Sequence, residues 1–419
     1  MRVSIFSFVI LLLIGSFAVG MWAYHKSWEP ASLMMMARNA YRSFMDTGMI
    51  VPVDAYTPRT THRGASDQPY VVKRPEAMAE GYLLINRIVL PDHRYESILI
   101  DGEGEVLHRW PIDYSRVHED GPASQFAHVV TPLPDGSVLA NFDDDARALV
   151  RFDACGEPMW ARTDQVYHHS IRKDNEKGYW TWQALLFDGG HDHRMVRFDE
   201  DTGEILESID LIEDVMRKNP ANQLALVFPE GFKIDRTITR YNVKQDLLHP
   251  NDVKPLPAEY ADAYPQFEAG DLLISLRNLD MIGVIGRESK DIIWASYGPW
   301  FGQHDPDWHA DGTITVYSNN HYRRRTNIVE MDPVTREARD RFWNTELDFD
   351  SHIMGQHQRL PNGNWLLIAP TQGRVIEVTD DGLIVREWAN YLDERHNATV
   401  TYAEWVPLDY FDRMPSCNS

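Results

Sequence analysis

Histidine is the residue type on which any chemistry in this chain would turn. The segments HPND (249–252), GQHD (302–305) and SHIMGQHQ (351–358) each place an imidazole just ahead of an apolar strand pattern. His128 and the pair His168–His169 fall at matching places earlier. One imidazole at a strand start is ordinarily a hydrogen-bonded structural residue, but the same residue type at five corresponding points is a constellation. Two chemistries use one. Imidazole with carboxylate suits zinc or iron, and His304, Asp305, Asp307 and His309 form the local candidate. Strand alternation, however, would send Asp305, Asp307 and His309 to one face and His304 to the other. The second chemistry is group transfer, in which a neutral imidazole attacks an electrophile and another protonates the leaving group. Transfer of an anionic group also needs a cationic clamp, because guanidinium holds oxyanions through paired planar donors. The run YRRRTN (322–327) offers Arg323, Arg324 and Arg325 directly after the strand pattern TITVYSNN. Alternation sends at least one of the three to each face and leaves open which points inward.

Residues so far apart in sequence meet only if the elements carrying them converge. The chain repeats a unit of strands separated by glycine turns and ending in a tryptophan or an acidic turn. Six such units cover 81–112, 128–161, 168–211, 249–294, 304–343 and 357–388, with hairpin turns DGEGE, DACGEP, DEDTGE, DPVTRE and TDDG at equivalent places. Repeated all-strand units of this length predict an all-β six-bladed β-propeller, whose first strands line a central channel. The unit starts, and therefore the histidines, would gather at the axis. A further strand pattern, TVTYAEWVPL (399–408), is expected to pair with the first unit and shut the ring. Residues 212–246 break the rhythm with a short helix at IEDVMRKN and an irregular stretch, an insertion that would project over one face. The resulting domain map is 1–27 membrane anchor or signal segment, 28–76 juxtamembrane helix and linker, 77–411 propeller and 412–419 tail.

Composition excludes some functions. A formal net charge of −22 repels phosphate backbones, so no nucleic-acid partner is expected. Forty-three per cent hydrophobic residues, with 13 Trp and 18 Tyr, supply a packed core and favour strands. Only Cys155, in the DACGEP turn, and Cys417, on the tail, are present; their positions argue against a disulfide between them, though sequence leaves the pairing open. No residue from Val3 to Tyr24 is charged, and these 22 residues as a helix, at about 1.5 Å each, span a hydrocarbon core of about 30 Å. An uncleaved anchor is expected, with the C-terminal mass exported. It would be followed by a juxtamembrane helix over Glu29 to Thr47, with Leu33, Met36, Ala40 and Phe44 at helical spacing, and by a linker without period from Val51 to Arg74.

The ordered set HPNDVKPLP, GDLLISLRNLDMIGVI, IIWASYG, QHDPDWHADGTITVYSNN, RTNIVEMD and GQHQRLPNGNWLLIAPTQGRVIEVTDDG resembles the bacterial arylsulfate sulfotransferase family, over about Gly81 to Trp388. The resemblance implies a six-bladed propeller in the periplasm, tethered here to the inner membrane. It would move a sulfuryl group from a phenolic sulfate ester to another phenol, independent of the nucleotide donor PAPS, by a ping-pong route through a sulfohistidine. In that pattern His249 and His304 would bind the sulfuryl oxygens or carry the phenol proton. One of Arg323, Arg324 and Arg325 would hold the sulfate, and Asn251, Asp305 and His128 are added as substrate-binding candidates from their place at the unit starts. The nucleophile would come from the last unit, where His357 or His352 is offered. No metal and no cofactor is expected. One departure is the region ahead of the propeller, where better-characterised relatives carry a folded β domain. Two other functions remain open from sequence, a non-catalytic scaffold at the cell envelope and a metal-dependent lyase or hydrolase built on the same histidines.

Overall fold

The computed structural model describes residues 14–17, 19, 22, 60–61, 68–90, 92–142, 148–184, 193–223, 248–320, 325–342, 347–393 and 396–417. The chain divides into two compact units, 1–57 and 58–419. In the first, the described residues of the N-terminal stretch are helical, with Ile14, Phe17, Val19 and Trp22 exposed. Among the described residues no helix is long and apolar enough to cross a membrane. Most of the expected anchor and the whole juxtamembrane helix lie outside the described residues.

The second unit is the propeller. Blade 1 runs outward from Val400–Val406 through Tyr82–Val89 and Arg94–Ile100 to Val106–Ile112. Blade 2 holds Ala127–Pro132, Val138–Phe142, Ala148–Phe152 and Pro158–Arg162; blade 3 holds Val166–Lys173, Tyr179–Ala184, Arg194–Phe198 and Ile205–Asp210. Blade 4 comprises Pro250–Pro255, Leu272–Leu276, Met281–Ile285 and Ile292–Tyr297, and blade 5 comprises His304–Trp308, Ile314–Ser318, Asn327–Met331 and Ala338–Asp340. Blade 6 runs from Gln356–Arg359 through Trp365–Ala369 and Arg374–Val378 to Ile384–Ala389. The six repeat units thus become six sheets. The expected closing strand does pair with the first unit, Ala403 facing Ile85, and it takes the innermost place in that blade. Blade 1 is therefore the exception to the rule that a unit's first strand lines the channel.

Burial explains the shape. The middle strands are buried on both faces, as sheets packed face to face require. Along Leu272–Leu276, Leu272, Ile274 and Leu276 pack with Trp180 and Trp182 of blade 3, while Leu273 turns to Trp308 and Ile314 of blade 5. Outer strands alternate instead, as in Pro158–Arg162, where only every second residue is shielded. Three of the tryptophans that close units latch their blade to the next. The indole nitrogens of Trp110, Trp160 and Trp294 donate to the carbonyls of Gly136, Glu200 and Pro333 at 3.0, 3.0 and 2.9 Å.

Three expectations are corrected. The stretch read as linker is partly strand: Tyr70–Val72 adds a fifth strand to blade 6, Tyr70 facing Trp388, and Thr60–Thr61 pairs with His396–Asn397. Cys155 and Cys417 are joined, with Cα atoms 4.9 Å apart. The tail reaches Cys155 because it folds back along blade 2, where Asp412 N and Tyr410 Oη donate to the Pro134 and Pro132 carbonyls. The third correction concerns His304 and follows below. In the insertion, Leu211–Met216 forms one wide helical turn capped by Asp210, and residues 224–247 lie outside the described residues.

Candidate active site

At the face where the inner strands begin, regular alternation stops. The pairing register slips between Ala127 and Val129, His168 and Ile171, Pro250 and Asp252, His304 and Asp307, and Val400 and Tyr402. A bulge lets successive side chains leave the same face of a strand. Beside these slips the backbone turns left-handed at residues other than glycine: His169 (φ 59°), His249 (48°), Asp305 (46°) and, ahead of the last inner strand, Met354 (58°). Each such residue costs on the order of 1 kcal/mol or more and persists where the surroundings over-determine it, most often at functional sites. The consequence overturns the alternation argument, because His304 and Asp305 both line one pocket.

Imidazoles from three blades line that pocket, and one from a fourth packs against them. His169 is the hub, with ring centres 4.9 Å from His128, 4.9 Å from His168 and 5.3 Å from His249. His304 is within electrostatic reach of His249 and His128. Asn251, Asp252, Met354 and Arg172 line the same pocket. Gly355, beside Met354, has φ 114°, and a Cβ there would meet the Tyr317 ring at 2.2 Å, so only glycine fits.

His304 is set in one protonation pattern by its neighbour. Asn319 is fully buried, and its Nδ2 donates to the carbonyls of Ser351 (2.8 Å) and Met354 (2.6 Å). The amide orientation is thereby fixed and Oδ1 is an acceptor, so His304 Nδ1, 2.6 Å away, carries the proton. Nε2 is left with its lone pair, and among the described residues it has no protein partner. Burial pushes this imidazole down to about 3, the Arg277 charge adding to the shift and the Asn319 hydrogen bond opposing it. At neutral pH His304 is a neutral imidazole with a free nitrogen in the pocket.

Below the histidines lies a buried charge lattice. Arg172 Nη2 contacts Asp305 at 2.6 Å and Asp252 at 3.1 Å, and Lys254 contacts both Asp305 and Asp307. Burial alone would raise the Asp305 carboxyl, but the Lys254 and Arg172 charges hold it well below the usual carboxylate range. Arg172 is shifted upward, Asp252 and Asp305 outweighing its burial. A second cavity of about 170 Å³ lies beyond, lined by Arg172, Lys254, Asp307, His357, Tyr402 and Glu404 among others. Among the described residues, Asp305, Asp307 and His357 form a group that could hold a cation, their donor atoms lying within 4.8 Å of one another. The Lys254 ammonium already lies against Asp307 in that group.

The structure sorts the residues singled out from sequence. His128, Asn251, His304 and Asp305 share the pocket, and His249 packs on its hub. His357 is elsewhere: its side chain is sealed below the pocket, with Nδ1 3.1 Å from Asp305 Oδ2 and Nε2 2.6 Å from Thr315 Oγ1. His352 is exposed, two residues before Met354. Arg325 donates to the Phe342 carbonyl at 2.9 Å; Arg323 and Arg324 lie outside the described residues. Sequence reasoning missed Arg172, Arg277, Lys254 and Asn319. The first was findable, since it follows His169 by three residues on a strand expected to line the channel.

Residues 129–390 match the family model described as arylsulfotransferase (ASST). The chain belongs to the arylsulfotransferase family. Membership brings arylsulfate sulfotransferase activity in general terms, with a small-molecule aryl donor and a phenol acceptor as the substrate pair. Among solved structures, similarity extends to a protein of unknown function from Bacteroides caccae, 11% identical, with TM-score 0.49 over 78% of this chain and 98% of that one. It extends also to a streptogramin B lyase, 10% identical, with TM-score 0.42 over 84% and 98% of the two chains. No curated protein matches. In this arylsulfotransferase the pocket brings together His128, His169 and His304, the last with Nδ1 facing Asn319 Oδ1.

Proposed function

We propose that the protein moves a sulfuryl group between phenols through a sulfohistidine formed on His304, without PAPS. The carrying observation is the Asn319 contact that leaves His304 Nε2 unprotonated in the pocket. The resemblance drawn from sequence would put the nucleophile in the last blade. His357 is poorly suited to that role, because both its ring nitrogens are engaged in a sealed position.

In the first half-reaction His304 Nε2 attacks sulfur, the bond from sulfur to the aryl oxygen breaks, and that oxygen takes a proton from a protonated neighbour, His249 or His128. The donor phenol leaves and SO3 remains on nitrogen. In the second, the acceptor phenol gives its proton to the same neighbour, its oxygen attacks sulfur, and the bond from nitrogen to sulfur breaks. Protons and electron pairs balance over the cycle, and no nucleotide enters. Sulfuryl transfer resembles phosphoryl transfer in its loose transition state, so positioning and charge stabilisation carry the catalysis. A phenol with a pKa of about 10 leaves readily once an imidazolium protonates it.

The proposed place of action is the periplasm, with the uncharged stretch at Val3 to Tyr24 anchoring the chain in the inner membrane. Supporting this is the Cys155–Cys417 pair, since disulfides persist in oxidising compartments.

The test is mass spectrometry of protein mixed with a chromogenic aryl sulfate and quenched before acceptor is added. Expected is an adduct of roughly 80 Da, the mass of SO3, on His304, discharged by phenol. An adduct on another residue would move the nucleophile, and turnover with no adduct at all would replace the ping-pong route by direct transfer.

A further inference from the structure

We propose that Arg172 grips the non-bridging oxygens of the sulfuryl group, the role that sequence gives to the run 323–325. The proposal rests on the sulfuryl-transfer reading and names a residue for it.

Arg172 leaves the inner strand of blade 3 and lines the same pocket as His304. Its Nη2 donates to Asp305 Oδ1 at 2.6 Å and to Asp252 Oδ2 at 3.1 Å, and its Nε reaches Asp252 Oδ1 at 3.4 Å. Nη1 has no protein partner among the described residues. Carboxylates from blades 4 and 5 therefore pin one edge of the guanidinium plane, and the remaining nitrogen is left for a ligand in the cavities that Arg172 lines. A donor held this way loses no rotamer freedom when an oxyanion arrives, which is what preorganised stabilisation of a transferring group requires. Asp305 also follows His304 directly, through the left-handed turn that aims both inward. The clamp and the nucleophile are thus tied by one peptide bond and one salt bridge, so the distance between them is fixed by the fold. The Lys254 ammonium against Asp305 and Asp307 offsets carboxylate charge that would otherwise repel the substrate.

The experiment uses the full chain and inorganic sulfate as the probe, measured by titration calorimetry, with p-nitrophenyl sulfate turnover read separately. Arg172→Lys keeps a cation between the two aspartates but loses the free edge of the fork. Expected is at least a tenfold weaker sulfate affinity, a rise in KM and a fall in kcat. The double change Arg172→Met with Asp252→Asn removes the cation together with one of its anions, which guards against misfolding, and is expected to lose sulfate binding as well. Asp252→Asn alone removes one of the two pins but keeps the guanidinium, and should weaken sulfate binding less than Arg172→Lys does. Arg172→Lys or the double variant binding sulfate like the parent would overturn the clamp and make Arg172 a brace between blades. The two proposals separate cleanly. Arg172-dependent sulfate binding without turnover keeps the clamp and removes the transfer reading, whereas turnover with Arg172→Lys unchanged in kcat and KM does the reverse.

Discussion

Removing the amide that orients His304 separates a nucleophile from a structural histidine. Asn319→Ala deletes three hydrogen bonds, one from His304 Nδ1 and two to the Ser351 and Met354 carbonyls. Ser351 O keeps a second donor, Thr326 Oγ1 at 3.1 Å, but the Met354 carbonyl loses the one from Asn319. An orphaned buried carbonyl costs about 1–3 kcal/mol and each lost neutral bond about 1 kcal/mol, so the expected destabilisation is about 3 kcal/mol. For a unit of about 360 residues, with an unfolding entropy of about 2.1 cal/mol/K per residue, that lowers Tm by about 4 °C. The kinetic effect is separate. Without Asn319 only the weaker contact to the Gly302 carbonyl, 3.2 Å from Nδ1, orients the imidazole, and the tautomer that protonates Nε2 becomes accessible. Losing an orienting bond worth about 1.5–3 kcal/mol to the developing imidazolium lowers kcat about 10- to 100-fold. The assay is release of p-nitrophenol from p-nitrophenyl sulfate with phenol as acceptor, alongside calorimetric melting. Asn319→Asp supplies the sign, because a carboxylate beside Nδ1 stabilises the imidazolium and should move the acid limb of kcat/KM upward. A Tm drop with kcat unchanged in Asn319→Ala would refute the tautomer argument and with it the choice of His304.

Other outcomes follow from the same geometry. His352→Ala, at an exposed position, should retain most activity; His357→Ala removes a buried contact to Asp305 and should lower Tm by several degrees, so an adduct that disappears only in one of these variants would restore that residue as nucleophile. Acid should destabilise the propeller between about pH 6.5 and 3. Burial holds His304 near 3, helped by Arg277, and burial also holds His309 near 3, helped by His357. The unfolded chain then takes up protons that these two native imidazoles refuse, and each contributes about 2 kcal/mol of lost stability by pH 5. Thermal melts across that range check it, and a slope unchanged in His309→Gln counts against it. Cys155→Ser should lower Tm by about 3–5 °C, from a typical 2–4 kcal/mol per disulfide, and an unchanged melting curve in non-reducing buffer would show the tail to be held by its hydrogen bonds alone.

The ring itself was written along the chain. Six units with turns at fixed places, tryptophans closing five of them and a last strand without a partner of its own determine a closed propeller, because period and turn chemistry are local properties that survive without knowledge of neighbours. The convergence of the unit starts followed from that closure, which is why His128, His249 and His304 could be grouped from residue order alone. What tertiary structure decided is which way those side chains face. A bulge is a mismatch between two strands and leaves no mark in either one, so alternation misplaced His304 relative to Asp305. The roles of Asn319 and Arg172 depend on partners in other blades, Ser351 and Met354 for one and Asp252 and Asp305 for the other. The same holds for Cys417, which meets Cys155 only because the tail turns back along blade 2. Sequence specified the pitch of the ring; contacts between blades specified which imidazole keeps its lone pair.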